Sequence, residues 1–239
     1  MKPTSYKIKF LKKENIAQDT YTFYFEKPQF EFSAGQYLRI VLNNPSLVPN
    51  FHVFTISSSP TENDFLAFTT RDTKSKFKKC LLELEENSIV EIYAPLGDFI
   101  LDENETRSIV FIAGGIGITP FRSILMDIKD KPLSLSIKLL ISFKNKSDEI
   151  FMNELREIHS SNISIYETLT RETEENLKGW NGLIGRINSD MILNVSKSIE
   201  NTCFYVCGPV GLVTDIENIL NSLGIQKNNI ISEKFYGYK

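Results

Sequence analysis

Residues 109–120 read Ile109-Val110-Phe111-Ile112-Ala113-Gly114-Gly115-Ile116-Gly117-Ile118-Thr119-Pro120. The unbroken apolar run at the start predicts a strand buried on both faces, as in parallel sheets covered by helices. Gly114, Gly115 and Gly117 let the backbone turn tightly and approach a ligand; Thr119 suits a helix N-cap and Pro120 a first helical turn. Strand, turn and helix start in that order aim free N–H groups and the positive end of a helix dipole at the carboxyl edge of a sheet, which suits a pyrophosphate. The same turn would also serve as a plain strand-to-helix connection.

Downstream, apolar runs at Ile137–Phe143, Ile163–Leu169, Cys203–Cys207 and Ile230–Phe235 alternate with helical stripes. The stripes are Phe121, Ile124, Leu125 and Ile128; Phe151, Leu155 and Ile158; and Val213, Ile216, Leu220 and Leu223, closed by Gly224. This predicts an α/β domain over residues 102–239 with a five-stranded parallel sheet. Upstream the hydrophobic period is two: Tyr6, Ile8 and Phe10, then Tyr21, Phe23 and Phe25, then Leu38, Ile40 and Leu42, then Leu66 and Phe68, then Val90 and Ile92. Short alternating strands punctuated by Gly and Pro predict an antiparallel barrel or sandwich over residues 1–101. One helix, striped by Phe77, Cys80, Leu81 and Leu84, interrupts it, and Asp102–Arg107 is the linker.

Composition narrows the function classes. The chain has 239 residues, 41% of them hydrophobic and 24% charged, with a net charge of −3. That balance draws it neither to nucleic acid nor to anionic lipid. Three cysteines are too few for a disulfide framework or for the four thiolates of an iron-sulfur cluster, and no metal site is expected. No apolar stretch reaches membrane-span length, and the start has no signal-peptide core, so a cytoplasmic location is expected. Lys74, Lys76, Lys78 and Lys79 read as a solvated helix face, or as a docking patch for an acidic partner protein.

Two more segments carry chemistry. His52-Val53-Phe54-Thr55-Ile56-Ser57-Ser58-Ser59-Pro60 offers an aromatic ring, a hydroxyl and small polar groups to a flat ligand. Cys203-Phe204-Tyr205-Val206-Cys207-Gly208-Pro209 ends a strand at the edge where the glycine turn lies. Cys203 and Cys207 share a strand face, which admits a redox or metal pair, but Cys203 reads better as a small apolar residue.

In order along the chain, Gly35-Gln36-Tyr37, Phe54-Thr55, Pro95-Leu96-Gly97-Asp98-Phe99, the glycine turn, Cys207-Gly208-Pro209 and Glu233-Lys234-Phe235 resemble the ferredoxin-NADP reductase-like superfamily of flavoproteins. The resemblance implies a Greek-key FAD-binding barrel followed by an NAD(P)-binding α/β domain. It implies that Phe54 packs on the isoalloxazine, that Thr55 hydrogen-bonds near flavin N5, and that Cys207 flanks the nicotinamide. Glu233 and Phe235 would close the pocket, and Gly114, Gly115, Gly117, Thr119, Pro120, Gly208 and Pro209 would hold the dinucleotide. Two positions depart from the family. His52 and Val53 stand where an Arg-led motif is usual, which shifts the phosphate-binding role to Arg71. Thr73 and Ser75 stand where a Gly-led helix start usually cradles the FAD phosphates; despite that departure FAD remains favoured, with FMN the less favoured alternative. Thr170-Arg171 and the lysine-rich loop after Phe143 favour NADPH over NADH. The implied activity is hydride transfer between NAD(P)H and FAD, with electrons passed singly to ferredoxin or flavodoxin. The alternatives are a ferric-chelate or free-flavin reductase, or an electron-transfer subunit of a larger complex.

Overall fold

A computed structural model describes residues 3–129, 131, 135–158, 162–173 and 175–237. They divide into two compact units, one reaching Leu101 and including Thr119–Lys131, the other made of Asp102–Ile118 and the chain from residue 135 to Gly237. Each contains one six-stranded sheet.

The first unit is the antiparallel barrel. Its strands are β1 (Thr4–Ala17), β2 (Thr20–Phe25), β3 (Tyr37–Val41), β4 (Phe51–Thr55), β5 (Leu66–Arg71) and β6 (Ile89–Leu96), in the order β4-β3-β6-β1-β2-β5. A bridge between Ile56 and Phe68 ties the end of β4 to β5. β1 is long enough to serve both halves because its register shifts between Phe10 and Lys12, bending it from β6 toward β2. The alternation foreseen in the sequence drives Phe10, Phe23, Phe25, Phe54 and Phe68 into one core, where Phe23 and Phe25 both stack on Phe68. Helix α1 (Lys76–Leu82) covers this core with Phe77 and Leu81, one turn apart, and Ser75 caps it by accepting from the Lys78 N–H.

The second unit carries β7 (Ser108–Gly114), β8 (Ile137–Phe143), β9 (Ile163–Leu169), β10 (Leu183–Ile184), β11 (Thr202–Pro209) and β12 (Ile230–Phe235), all parallel, in the order β10-β9-β8-β7-β11-β12. The sheet therefore has six strands, not the five predicted. β10 has only two residues, too few to display a period, and is held by pairing to Thr168 and Leu169 and by the Thr168 hydroxyl donating to the Gly185 carbonyl. The helices are α2 (Thr119–Lys129), α3 (Met152–Arg156), α4 (Ser189–Ser196) and α5 (Val210–Ser222). α4 and α5 bury Ile192, Val195, Val213, Ile216 and Leu220 against Val110, Ile112, Phe204 and Val206 of the sheet.

Although only the turn Gly115–Ile118 separates α2 from β7 in sequence, α2 packs in the first unit. Phe121 meets Phe99 edge to face, with ring centroids 5.7 Å apart, and Arg122 and Ser123 hydrogen-bond to carbonyls of Ser57 and Ser58. No helix of the described residues is long and apolar enough to cross a membrane.

Candidate active site

On the barrel side, strand alternation turns Phe51 and Val53 outward and His52 and Phe54 inward. The Phe54 ring lies on Phe68, with centroids 4.5 Å apart and planes 6° from parallel, and is only 9% exposed. One face of Phe54 is thus committed to the core rather than to a ligand. Thr55 ends the strand, and among the described residues nothing hydrogen-bonds its hydroxyl.

His52 stacks on Phe77, with centroids 4.0 Å apart. Burial first, and the charge of Lys78 second, push its imidazole down to about 4, so it is neutral near pH 7. Positive charge is instead concentrated at Lys78 and Arg71. The Lys78 ammonium donates to the Arg71 carbonyl at 2.6 Å, and burial lowers it to about 8. Ser75 spends its hydroxyl on the helix cap, and Thr73 is exposed. Lys76 and Lys79 are exposed on the helix as expected, Lys74 is exposed but precedes the helix at φ +58°, and Lys78 is half-buried. Sequence reasoning missed Lys78 as a site residue, although its place beside Phe77 and three before Leu81 sets it on the rim of the buried stripe.

On the α/β side, Gly115–Ile118 forms a 3₁₀ turn after β7. A Cβ on Gly114 would come within 2.3 Å of Leu212, and one on Gly117 within 2.3 Å of the Cys207 carbonyl oxygen. Gly115, at φ +52°, has open space around it. The turn needs its glycines for packing at two positions and presents bare backbone at the third.

Cys207 sits in register with Ala113 of β7 on one side and Glu233 of β12 on the other. It is fully buried, and burial, reinforced by the nearby Glu233 carboxyl, pushes its thiol well above the ordinary range. Burial of this kind favours the neutral thiol over the thiolate. Burial likewise raises Glu233 to about 7, and its Oε2 has no hydrogen-bond partner. Cys203 is buried, with its thiol raised to about 11, in keeping with an apolar role. Gly208 takes φ +154°, Pro209 is exposed, and Phe235 closes β12 half-buried.

Beyond the ends of β8 and β9, an open cleft of about 560 Å³ is lined by Asn145, Lys146, Arg171, Glu172 and Thr173. Thr170 and Arg171 are fixed by their N–H groups to the Phe143 and Lys144 carbonyls. Glu172, which the sequence reading passed over, accepts from the Lys146 and Thr173 N–H groups and from Asn176. The exposed Arg171 guanidinium has no partner among the described residues.

These features fit a flavin and a dinucleotide at three points: the unengaged Thr55 hydroxyl, the bare Gly115 backbone, and the buried Glu233 oxygen that lacks a partner.

Residues 5–116 match the model of an FAD-binding domain, and residues 111–218 that of an oxidoreductase NAD-binding domain. The chain is 25% identical over 95% of its length to a flavohemoprotein of Oceanobacillus iheyensis, and 27% identical over 87% to an anthranilate 1,2-dioxygenase electron transfer component of Acinetobacter baylyi. It spans 58% and 59% of those two relatives. Among solved structures, a ferredoxin NADP+ reductase from Neisseria gonorrhoeae with bound FAD and NADP superposes with TM-score 0.81 at 19% identity, covering 97% of this chain and 99% of that one.

Proposed function

We propose, for a chain that belongs to the ferredoxin-NADP reductase-like superfamily of FAD- and NAD(P)-binding oxidoreductases, that it catalyses hydride exchange between NAD(P)H and FAD and passes electrons singly to an acceptor held by another protein, of the ferredoxin or flavodoxin class. The observation that carries this reading is the strand register that sets Cys207 opposite Glu233, with the Gly117 turn packed on the Cys207 carbonyl.

Bound FAD supplies the chemistry that joins a two-electron donor to one-electron acceptors. The protein's part is to bind, orient and exclude water. Thr55 would donate its hydroxyl hydrogen bond to the flavin, and Lys78 and Arg71 would supply positive charge for its pyrophosphate. The glycine turn receives the dinucleotide pyrophosphate on backbone N–H groups. Cys207 packs beside the nicotinamide without charge; a thiolate there would hold the cationic oxidised ring and retard its release. Glu233 keeps its proton up to a pH of about 7 and can donate it to a bound group.

NADPH is favoured over NADH because the Arg171 guanidinium is unengaged at the cleft. Glu172, the carboxylate lining the cleft among the described residues, already accepts three hydrogen bonds.

A second reading, as the reductase part of a larger electron-transfer system, is favoured by the two relatives, of which this chain spans under two thirds. Anaerobic titration of the flavin-loaded protein with NADPH and NADH, followed by ferredoxin, flavodoxin and ferric citrate, tests both. Bleaching by a nicotinamide and reoxidation by a carrier protein is the expected result. Reoxidation by the iron chelate alone would replace the carrier with a small acceptor.

A further inference from the structure

The serine run Ser57-Ser58-Ser59 follows Thr55 by one residue and is entirely buried. It has no backbone group to spare for a ligand. The N–H groups of Ser57 and Ser58 both go to the Ala67 carbonyl, and that of Ser59 to the Glu62 carboxylate at 2.6 Å. The Ser57 carbonyl accepts from Arg122 at 2.9 Å, the Ser58 carbonyl from the Ser123 hydroxyl at 2.7 Å, and the Ser59 carbonyl from the Glu62 N–H.

Arg122 uses both terminal nitrogens on Glu62 while holding Ser57. The pair is largely shielded, at 10% and 21% side-chain exposure. Lys27 adds a second clamp, donating to the Pro60 and Glu62 carbonyls at 2.8 and 2.7 Å. The turn that leaves the flavin-facing strand is therefore shaped by a side chain from α2, the helix that begins where the glycine turn ends.

We propose that Arg122 is a positioning residue for the flavin: by fixing the Ser57 carbonyl and the Glu62 carboxylate, it sets the backbone leaving Thr55 and hence the direction of the Thr55 hydroxyl. This rests on the reading that Thr55 faces flavin. Misplacement of a reacting pair by about 1 Å can cost roughly a hundredfold in rate, so a small shift here is measurable.

The test is a double-mutant cycle of Arg122→Gln and Thr55→Ala in the flavin-loaded protein. It is read in FAD affinity, in the visible spectrum of the bound flavin, and in the anaerobic rate of flavin reduction per bound flavin. Arg122→Gln should slow reduction by about tenfold or more, with Arg122→Lys recovering part of the loss. Adding Thr55→Ala to Arg122→Gln should cost little further, because both act through one hydroxyl. Independent, multiplying effects, or a rate within twofold of wild type, would overturn the proposal. If Arg122→Gln does not fold, Ser123→Ala, which removes only the bond to the Ser58 carbonyl, takes its place in the cycle. Failure of the unaltered protein to be bleached by either nicotinamide would sink the functional reading instead, and the affinity and spectral cycles would still judge Arg122.

Discussion

Cys207 and Glu233 are direct partners in the parallel pair of β11 and β12, so the acid buried at this edge has a thiol, not a cation, as its neighbour across the strands. Among the described residues no positive charge stabilises the carboxylate, and burial raises its pKa. The folded state keeps this proton up to about pH 7, whereas an unfolded glutamate loses it near pH 4.5. Between those values the folded state binds more protons, so stability falls as pH rises through the window. Glu233→Gln should flatten that slope when melting temperature is followed from pH 4.5 to 8. An unchanged slope would show that another group carries it.

Lys78 predicts a pH dependence of flavin binding. Its ammonium is lowered to about 8 without ligand, and a pyrophosphate beside it would favour the protonated form. FAD affinity should be level below pH 8 and decline above it. Lys78→Met should weaken binding by about tenfold or more, in line with the loss of a charged hydrogen bond, and remove the decline. Fluorescence titration from pH 6.5 to 9.5 checks both.

Gly117→Ala places a methyl 2.3 Å from the Cys207 carbonyl oxygen, which belongs to rigid strand backbone. Overpacking of this kind costs roughly 1–3 kcal/mol. Denaturant unfolding should show that loss, with coenzyme affinity falling as well. Gly115→Ala, in open space but at φ +52°, should lose less stability.

Coenzyme choice is tested at two adjacent residues. Arg171→Ala should raise KM for NADPH about tenfold and leave that for NADH within twofold. Glu172→Gln, which removes a negative charge from the same cleft, should lower KM for NADPH. Steady-state kinetics with both coenzymes would overturn the preference if the two values moved together.

What the sequence carried was periodicity. The strands Ile137–Phe143, Ile163–Leu169 and Ile230–Phe235 match the predicted runs end to end; the first is buried along nearly its whole length, as a central parallel strand must be, while the other two are only half-buried. β10 was illegible because two residues make no pattern. The stripe Phe151, Leu155, Ile158 overran its helix: Phe151 stands before α3 with φ +63°, and Ile158 lies beyond Arg156. At the candidate site, motif order singles out Thr55, Cys207 and Glu233 as the residues to examine. The inward turn of Phe54, the loss of charge on His52 and the bond from Lys78 to the Arg71 carbonyl were not legible there, since each depends on which side chains the barrel core and α1 bring together.

The attachment of α2 to the barrel makes the joint between the two units interleaved rather than end to end. A protease cut or gene fusion at Leu101 would sever the barrel from a helix that supplies Phe121, Arg122 and Ser123. The flavin half is therefore not a cassette that evolution or an engineer can lift out at the obvious seam; it can be exchanged only together with the strand and turn through which its last helix is threaded.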